Sequence, residues 1–222
     1  MIKGIVFDFD GLIIDTESAW YLAFKEVIQG YNVEFPLEVF VKSIGTDDAM
    51  LNVFIKEKLG TDSIEMIMNL VKENHKARMK LIDIREGVRE YLAEAKTLGL
   101  RIGLASSSSR EWVEEFLRSF QIIDYFEVIK TGDEVEKVKP DPTLYAKTLE
   151  ALNINADEAI AFEDSANGAK AAVAAGLKCV IVPNEVTKGI NFEKFHLRIN
   201  SMSEMSLAQV ISHLSCKSIE DC

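Results

Sequence analysis

Three times along this chain a short apolar run stops at polar, chemistry-bearing residues and passes into an amphipathic helix. The runs are Ile5-Val6-Phe7, Leu100 to Ala105 and Ala159 to Phe162, and a fourth apolar stretch, Cys179 to Val182, follows an Ala-rich helix that opens near Asn167. Strands that are apolar throughout are buried on both faces, which is the habit of parallel sheets covered by helices. Their alternation with helices requires right-handed crossovers rather than hairpins. The expected class is therefore α/β, a Rossmann-like parallel sheet flanked by helices.

One long stretch departs from this rhythm. Between Asp15 and about Ile84 the pattern is helical, near Ser18–Gln29, Leu37–Lys42, Asp48–Leu59 and Ser63–Met79, with no buried strand. The reading is a small α-helical cap domain, residues 16–84, inserted into an α/β core made of residues 1–15 and 85–222. At 222 residues the chain is long enough for one such core and one smaller domain.

The first apolar run delivers Asp8 and Asp10, then Gly11 and Asp15-Thr16. Residues two apart in an extended chain point the same way, so both carboxylates converge on one place. Two like charges there call for a counter-ion, and oxygen donors suit Mg²⁺ held together with a substrate phosphate. An EF-hand loop starting at Asp8 would need an oxygen ligand at Leu12 and Gly at Ile13, and has neither. A helix N-cap would account for one of the two acids but not for both.

The other runs end in partners. Ser106-Ser107-Ser108-Ser109 lies at a strand-to-helix turn, where hydroxyls and N–H groups either cradle an anion or simply cap the helix running from about Trp112 to Phe120. Lys139-Pro140 precedes a helix from about Thr143 to Leu152, and Glu163-Asp164-Ser165 repeats the acid pair at the end of a strand. Open α/β sheets bind ligands beyond the carboxyl ends of their strands, which draws these clusters into one site.

The ordered set Asp8-Phe9-Asp10-Gly11 with Asp15-Thr16, Ala105-Ser106-Ser107, Lys139-Pro140 and Glu163-Asp164-Ser165 with Gly168 resembles the haloacid dehalogenase-like hydrolase superfamily. Within it, the chain is similar to the branch of β-phosphoglucomutase-like and phosphoglycolate phosphatase-like enzymes, over essentially its whole length. The resemblance implies that Asp8 is a nucleophile forming an aspartyl-phosphate and that Asp10 is the general acid/base. It makes Ser106, with Ser107, and Lys139 the phosphate-binding groups, Lys139 also holding Asp8. The Mg²⁺ ligands it implies are Asp8, the backbone carbonyl of Asp10, Asp164, and Glu163 directly or through water.

The implied activity is an Mg²⁺-dependent phosphatase acting on small phosphorylated metabolites such as sugar phosphates, with a β-phosphoglucomutase-type phosphomutase as the alternative. Where those mutases carry a histidine in the first cap helix this chain has Trp20, and their cap-loop arginine is matched by Gly45-Thr46-Asp47-Asp48. Losing a basic contact to a second phosphate favours the phosphatase. Asp47 and Asp48 would suit a substrate whose far end is neutral or cationic, if they are not simply solvated surface acids. Trp20 either stacks on a substrate or packs within the cap.

Composition narrows the partners. A formal charge of −11 disfavours nucleic acids and anionic membranes. The partner that the resemblance implies is a small phosphate ester, and the protein is expected to act as a monomer. Cys179, Cys216 and Cys222 are odd in number and lack a Cys-x-x-Cys spacing, which suits a reducing, cytoplasmic setting. No secretory leader is expected, because Asp8 and Asp10 break the first apolar run. P-loop, dinucleotide, zinc-protease and serine-hydrolase motifs are absent.

Overall fold

The computed structural model describes residues 1–44 and 49–216. Asp47, Asp48 and Cys222 lie outside the described residues. The chain divides into two compact units. One comprises Met1–Ile14, Ile84–Pro183 and the described residues from Asn191 onward; the other comprises Asp15–Asp83 and Asn184–Ile190.

The first unit is built on a six-stranded, all-parallel sheet: β1 (Gly4–Phe7), β2 (Arg101–Ala105), β3 (Val128–Lys130), β4 (Ala159–Glu163), β5 (Lys178–Ile181) and β6 (Leu197–Arg198), in the order β3-β2-β1-β4-β5-β6. β1 and β4 are buried at every residue, as their apolar sequences require up to the final Glu163 of β4, which is buried although ionisable. β3 and β6 are partly exposed and only three and two residues long, so their sequences carry no strand signal.

Adjacent strand residues point to opposite faces, and the last two side chains of β4 show which helix takes each face. Phe162 stacks on Phe7 at 5.4 Å and meets the ring of Tyr91 edge-on at 5.3 Å, in a helix spanning Val88–Thr97. Glu163 turns the other way and accepts from Tyr145, in the helix Thr143–Leu152. The second helix lies hard against β2: a Cβ on Gly103 would fall 2.6 Å from a methyl of Thr148. Each large apolar side chain buried between these layers contributes about 1.5–3 kcal/mol.

The chain leaves this unit twice, over residues 15–83 and 184–190, and the first departure and return lie side by side. Ile14 and Ile84 form an antiparallel bridge, and the Arg85 backbone N–H donates to the Ile13 carbonyl at 2.8 Å. The Arg85 guanidinium donates to the carbonyls of Val182 and Pro183 at 3.1 and 2.7 Å, and also contacts that of Gly11.

The second unit is helical among its described residues. With those above, the helices number in chain order α1 (Thr16–Gln29), α2 (Leu37–Val41), α3 (Ala49–Leu59), α4 (Ile64–Met79), α5 (Val88–Thr97), α6 (Arg110–Ser119), α7 (Thr143–Leu152), α8 (Ala166–Ala174) and α9 (Leu207–Cys216). Phe24, Phe35, Phe40 and Phe54 fill the centre of the second unit with Ile55, Ile67 and Val71, and Val186 from the 184–190 segment joins them. Asp15 caps α1, accepting from the Ser18 N–H at 3.0 Å. Trp20 stacks on the buried His75, with centroids 3.7 Å apart and planes within 9°.

Burial pushes the His75 pKa down to about 4. The neutral ring is the folded form, whereas the unfolded chain protonates near the ordinary histidine value of 6.5. Its contribution is therefore complete above pH 6.5 and is lost as pH falls from there toward 4. His75→Phe should flatten this dependence by about 1–2 kcal/mol between pH 7 and 4.5, a figure reduced for residual solvent screening at the ring. Urea midpoints of both proteins at the two pH values check it.

Among the described residues no helix is long and apolar enough to cross a membrane. Cys179 is a buried free thiol in β5, and burial raises its pKa, which keeps it protonated and unreactive.

Candidate active site

In a parallel sheet all strands end on the same side, and the register decides which ends meet. Phe7 pairs with Leu104 on one flank and Phe162 on the other, so Asp8, Ala105 and Glu163 emerge side by side. Sequence order reverses at β1: β2 and β3 lie to one side of it, β4 and β5 to the other. The crevice at such a reversal is where open α/β sheets hold ligands.

Asp8 is 6% exposed and Glu163 is fully buried. Between them Lys139 Nζ donates to Asp8 Oδ1 and, at 2.7 Å, to Glu163 Oε1. Glu163 Oε1 also accepts from Tyr145 Oη at 2.6 Å, and Oε2 from Ser165 Oγ at 3.3 Å. The Lys139 ammonium lies 4.9 Å from the centre of the Tyr145 ring, within cation–π range. Asp164, buried beside Glu163, completes the group: carboxylate oxygens of Asp8, Glu163 and Asp164 all come within 4.8 Å of one another.

The electrostatics follow from this crowding. Burial, and then the charge of Glu163, push the Asp8 carboxyl up, to about 8, against the opposing pull of Lys139. Burial alone would lower the Lys139 pKa, but Asp8 and Glu163 outweigh it and hold the ammonium charged. Burial and the Glu163 charge raise the Tyr145 pKa well above its ordinary value, so the phenol stays a neutral donor. Three carboxylates around one ammonium leave a formal charge of two negative units. An all-oxygen donor set with that deficit fits a hard divalent cation.

Asp10 belongs to a second cluster at the same strand end. Its Oδ1 accepts from the indole Nε1 of Trp112 at 3.0 Å, and its Oδ2 from Ser108 Oγ at 2.6 Å and Ser106 Oγ at 3.5 Å. Ser106 is 1% exposed and accepts from the Ser108 N–H at 3.0 Å. Ser107 is exposed on the same turn, and Ser109 caps α6, accepting from the Trp112 N–H at 3.3 Å. Within the serine run, Ser109 caps the helix, and Ser106 and Ser108 place hydroxyls against Asp10.

Gly168 lets the acid cluster close. A Cβ there would fall 1.9 Å from Glu163 Oε2. Gly168→Ala must therefore displace the Glu163 carboxylate or the start of α8, and should cost about 1–3 kcal/mol of stability, the usual range for overpacking. Its urea midpoint measures this.

The structure thus brings Asp8, Lys139, Glu163 and Asp164 together, with Asp10, Ser106 and Ser107 at the neighbouring turn. Three partners were not anticipated from sequence. Ser108 was within the serine run but undistinguished from its neighbours. Trp112 and Tyr145 read as apolar helix positions, and only the three-dimensional packing reveals their polar atoms at work.

A family model described as haloacid dehalogenase-like hydrolase matches residues 5–182. YhcW of Bacillus subtilis is 45% identical over 217 residues, covering 97% of this chain and 99% of its own length. A phosphorylated carbohydrates phosphatase of Thermotoga maritima is 31% identical, over 80% of this chain and 83% of its own. Among solved structures, CbbY from Rhodobacter sphaeroides in complex with phosphate superposes with a TM-score of 0.72 at 31% identity, covering 94% of this chain and 98% of that one. With the strand-end clusters, the parallel sheet and these matches in agreement, the chain belongs to the haloacid dehalogenase-like hydrolases.

Proposed function

We propose that the protein is an Mg²⁺-dependent phosphatase of small phosphorylated carbohydrates that works through an aspartyl-phosphate on Asp8. The observation that carries this reading is Lys139, buried between Asp8 and Glu163, which offers a fixed positive charge beside an otherwise repelling carboxylate. The similarity to the Thermotoga maritima phosphatase supports the substrate class. The helical unit, inserted between β1 and β2, serves in this reading as the cap that selects substrate.

Asp8 attacks phosphorus and the bond from phosphorus to the leaving oxygen breaks, with Asp10 giving that oxygen its proton. Asp10 then takes a proton from water as the water attacks phosphorus, breaking the Asp8–phosphorus bond and releasing inorganic phosphate. Two easier displacements replace one difficult one. Lys139 balances charge on Asp8 and the phosphoryl oxygens, and the Ser106 turn binds the phosphoryl group. Asp8, Asp164 and the Asp10 carbonyl would hold Mg²⁺; Glu163, already accepting from Lys139, Tyr145 and Ser165, anchors the lysine. When bound, Mg²⁺ supplies positive charge opposite the phosphoryl oxygens.

The test is phosphate release from sugar phosphates, nucleotides and phosphorylated acids, with Mg²⁺ and with chelator, and hydroxylamine trapping of an acyl phosphate at Asp8. Release that needs Mg²⁺, favours sugar phosphates and yields the trapped adduct is expected. Isomerised sugar phosphate with no net release would instead establish a mutase.

A further inference from the structure

Asp10 is held through both oxygens, by Trp112 at Oδ1 and by Ser108 and the more distant Ser106 at Oδ2, and the two sides are chemically unequal. The indole Nε1 of Trp112 can only donate. Its contact with Oδ1 at 3.0 Å therefore occupies that oxygen as an acceptor and disfavours a proton there. The Ser108 hydroxyl at Oδ2, 2.6 Å away, can turn to donate or accept, so Oδ2 tolerates a proton. We propose that Trp112 is a positioning residue for Asp10, whose indole N–H pins Oδ1 and confines the exchanged proton to Oδ2. This rests on the phosphatase reading, in which Asp10 protonates the leaving oxygen.

The indole is itself well fixed. Trp112 lies in the first turn of α6, its backbone N–H bound to the Ser109 cap. Its ring packs edge-on against Phe116 at 4.8 Å, and Phe116 in turn contacts Phe9, the residue between the two aspartates, at 6.4 Å. One aromatic chain thus links the helix to the backbone that carries Asp10. A carboxylate held at one oxygen by a donor-only group presents the other in a single orientation. Proton transfer demands that, because a misplacement of about 1 Å can cost on the order of 100-fold.

In phosphoryl transfer to Asp8, the phosphorus–oxygen bond breaks and the proton moves from Asp10 Oδ2 to the departing alcohol oxygen. Esters with an acidic leaving group need no such proton, and alkyl and sugar esters do. A residue that only stabilises the fold would affect both alike. The value of kcat/KM reports the steps up to this first transfer, so it separates the two cases.

The experiment measures kcat/KM for a series running from p-nitrophenyl phosphate to alkyl and sugar phosphates. It compares the wild type, Trp112→Phe, and the protein with Trp112 replaced by benzothienylalanine, in which sulfur takes the place of the N–H and the shape is kept. Both replacements should leave p-nitrophenyl phosphate within about twofold and lower alkyl and sugar esters about 10-fold or more, with little change in Tm. The sulfur isostere keeps the test informative if Trp112→Phe folds poorly. Equal losses on every ester, or an isostere indistinguishable from wild type, would overturn the positioning role while leaving the phosphatase reading intact. A wild type releasing phosphate from none of the esters would overturn both.

Discussion

Asp8→Asn is expected to cut phosphate release by at least about 10⁴-fold, the scale of losing a nucleophile, while leaving the fold as stable as before or more so. The activity loss follows from chemistry, since an amide cannot form the acyl phosphate. The stability gain follows from charge. In the native protein Asp8 is buried against Glu163, and that burial and repulsion push its carboxyl up to about 8. The neutral amide fills nearly the same volume and cuts the formal excess around Lys139 from two negative charges to one, with Glu163 and Asp164 remaining. Activity assays together with urea unfolding in chelator check both halves. A variant that is inactive and also markedly unstable would show that Asp8 is a structural anchor and that its loss of activity is indirect.

Lys139→Met should fail in the opposite direction. The Met side chain nearly preserves the length and packing of the lysine stem but removes the ammonium that lies between Asp8 and Glu163. Two buried carboxylates, and Asp164 nearby, are then left uncompensated. Breaking a buried pair from one side typically costs about 3–5 kcal/mol, and this site has two such contacts. Release of phosphate should also fall about 10³-fold or more, because the charge that offsets the incoming phosphoryl group is gone. The expected readout is a large drop in urea midpoint in chelator, with more of it recovered on adding Mg²⁺ than in the wild type. Unchanged stability would mean that the carboxylates take up protons at little cost, and that Lys139 contributes to chemistry alone.

Much of the fold was legible because the inner strands are apolar on both faces and their helices are amphipathic. Residues 143–152 form a helix within the bounds that the sequence suggests. β3 and β6 escaped because they lie at the sheet edges, short and half-exposed, where no burial pattern is imposed. In the site, acids and lysine at strand ends announced themselves by residue type. Trp112 and Tyr145 did not, since each packs a large apolar ring, half-buried in Trp112 and fully buried in Tyr145, and uses one polar atom at its rim, so the hydrophobic pattern that places them hides what that atom does. Trp20 raised the reverse difficulty: its sequence position allowed a substrate contact, and its ring stacks on His75.

The bridge between Ile14 and Ile84 makes nearly seventy intervening residues a closed detour whose two ends are a strand spacing apart. Closure entropy grows only with the logarithm of length, so a longer or shorter detour would tax the sheet by a fraction of a kcal/mol per doubling. Everything between those two isoleucines can thus be rewritten while Asp8, Lys139 and Glu163 keep their places. The length of that detour is free to drift over generations while the sheet that closes it stays as it is.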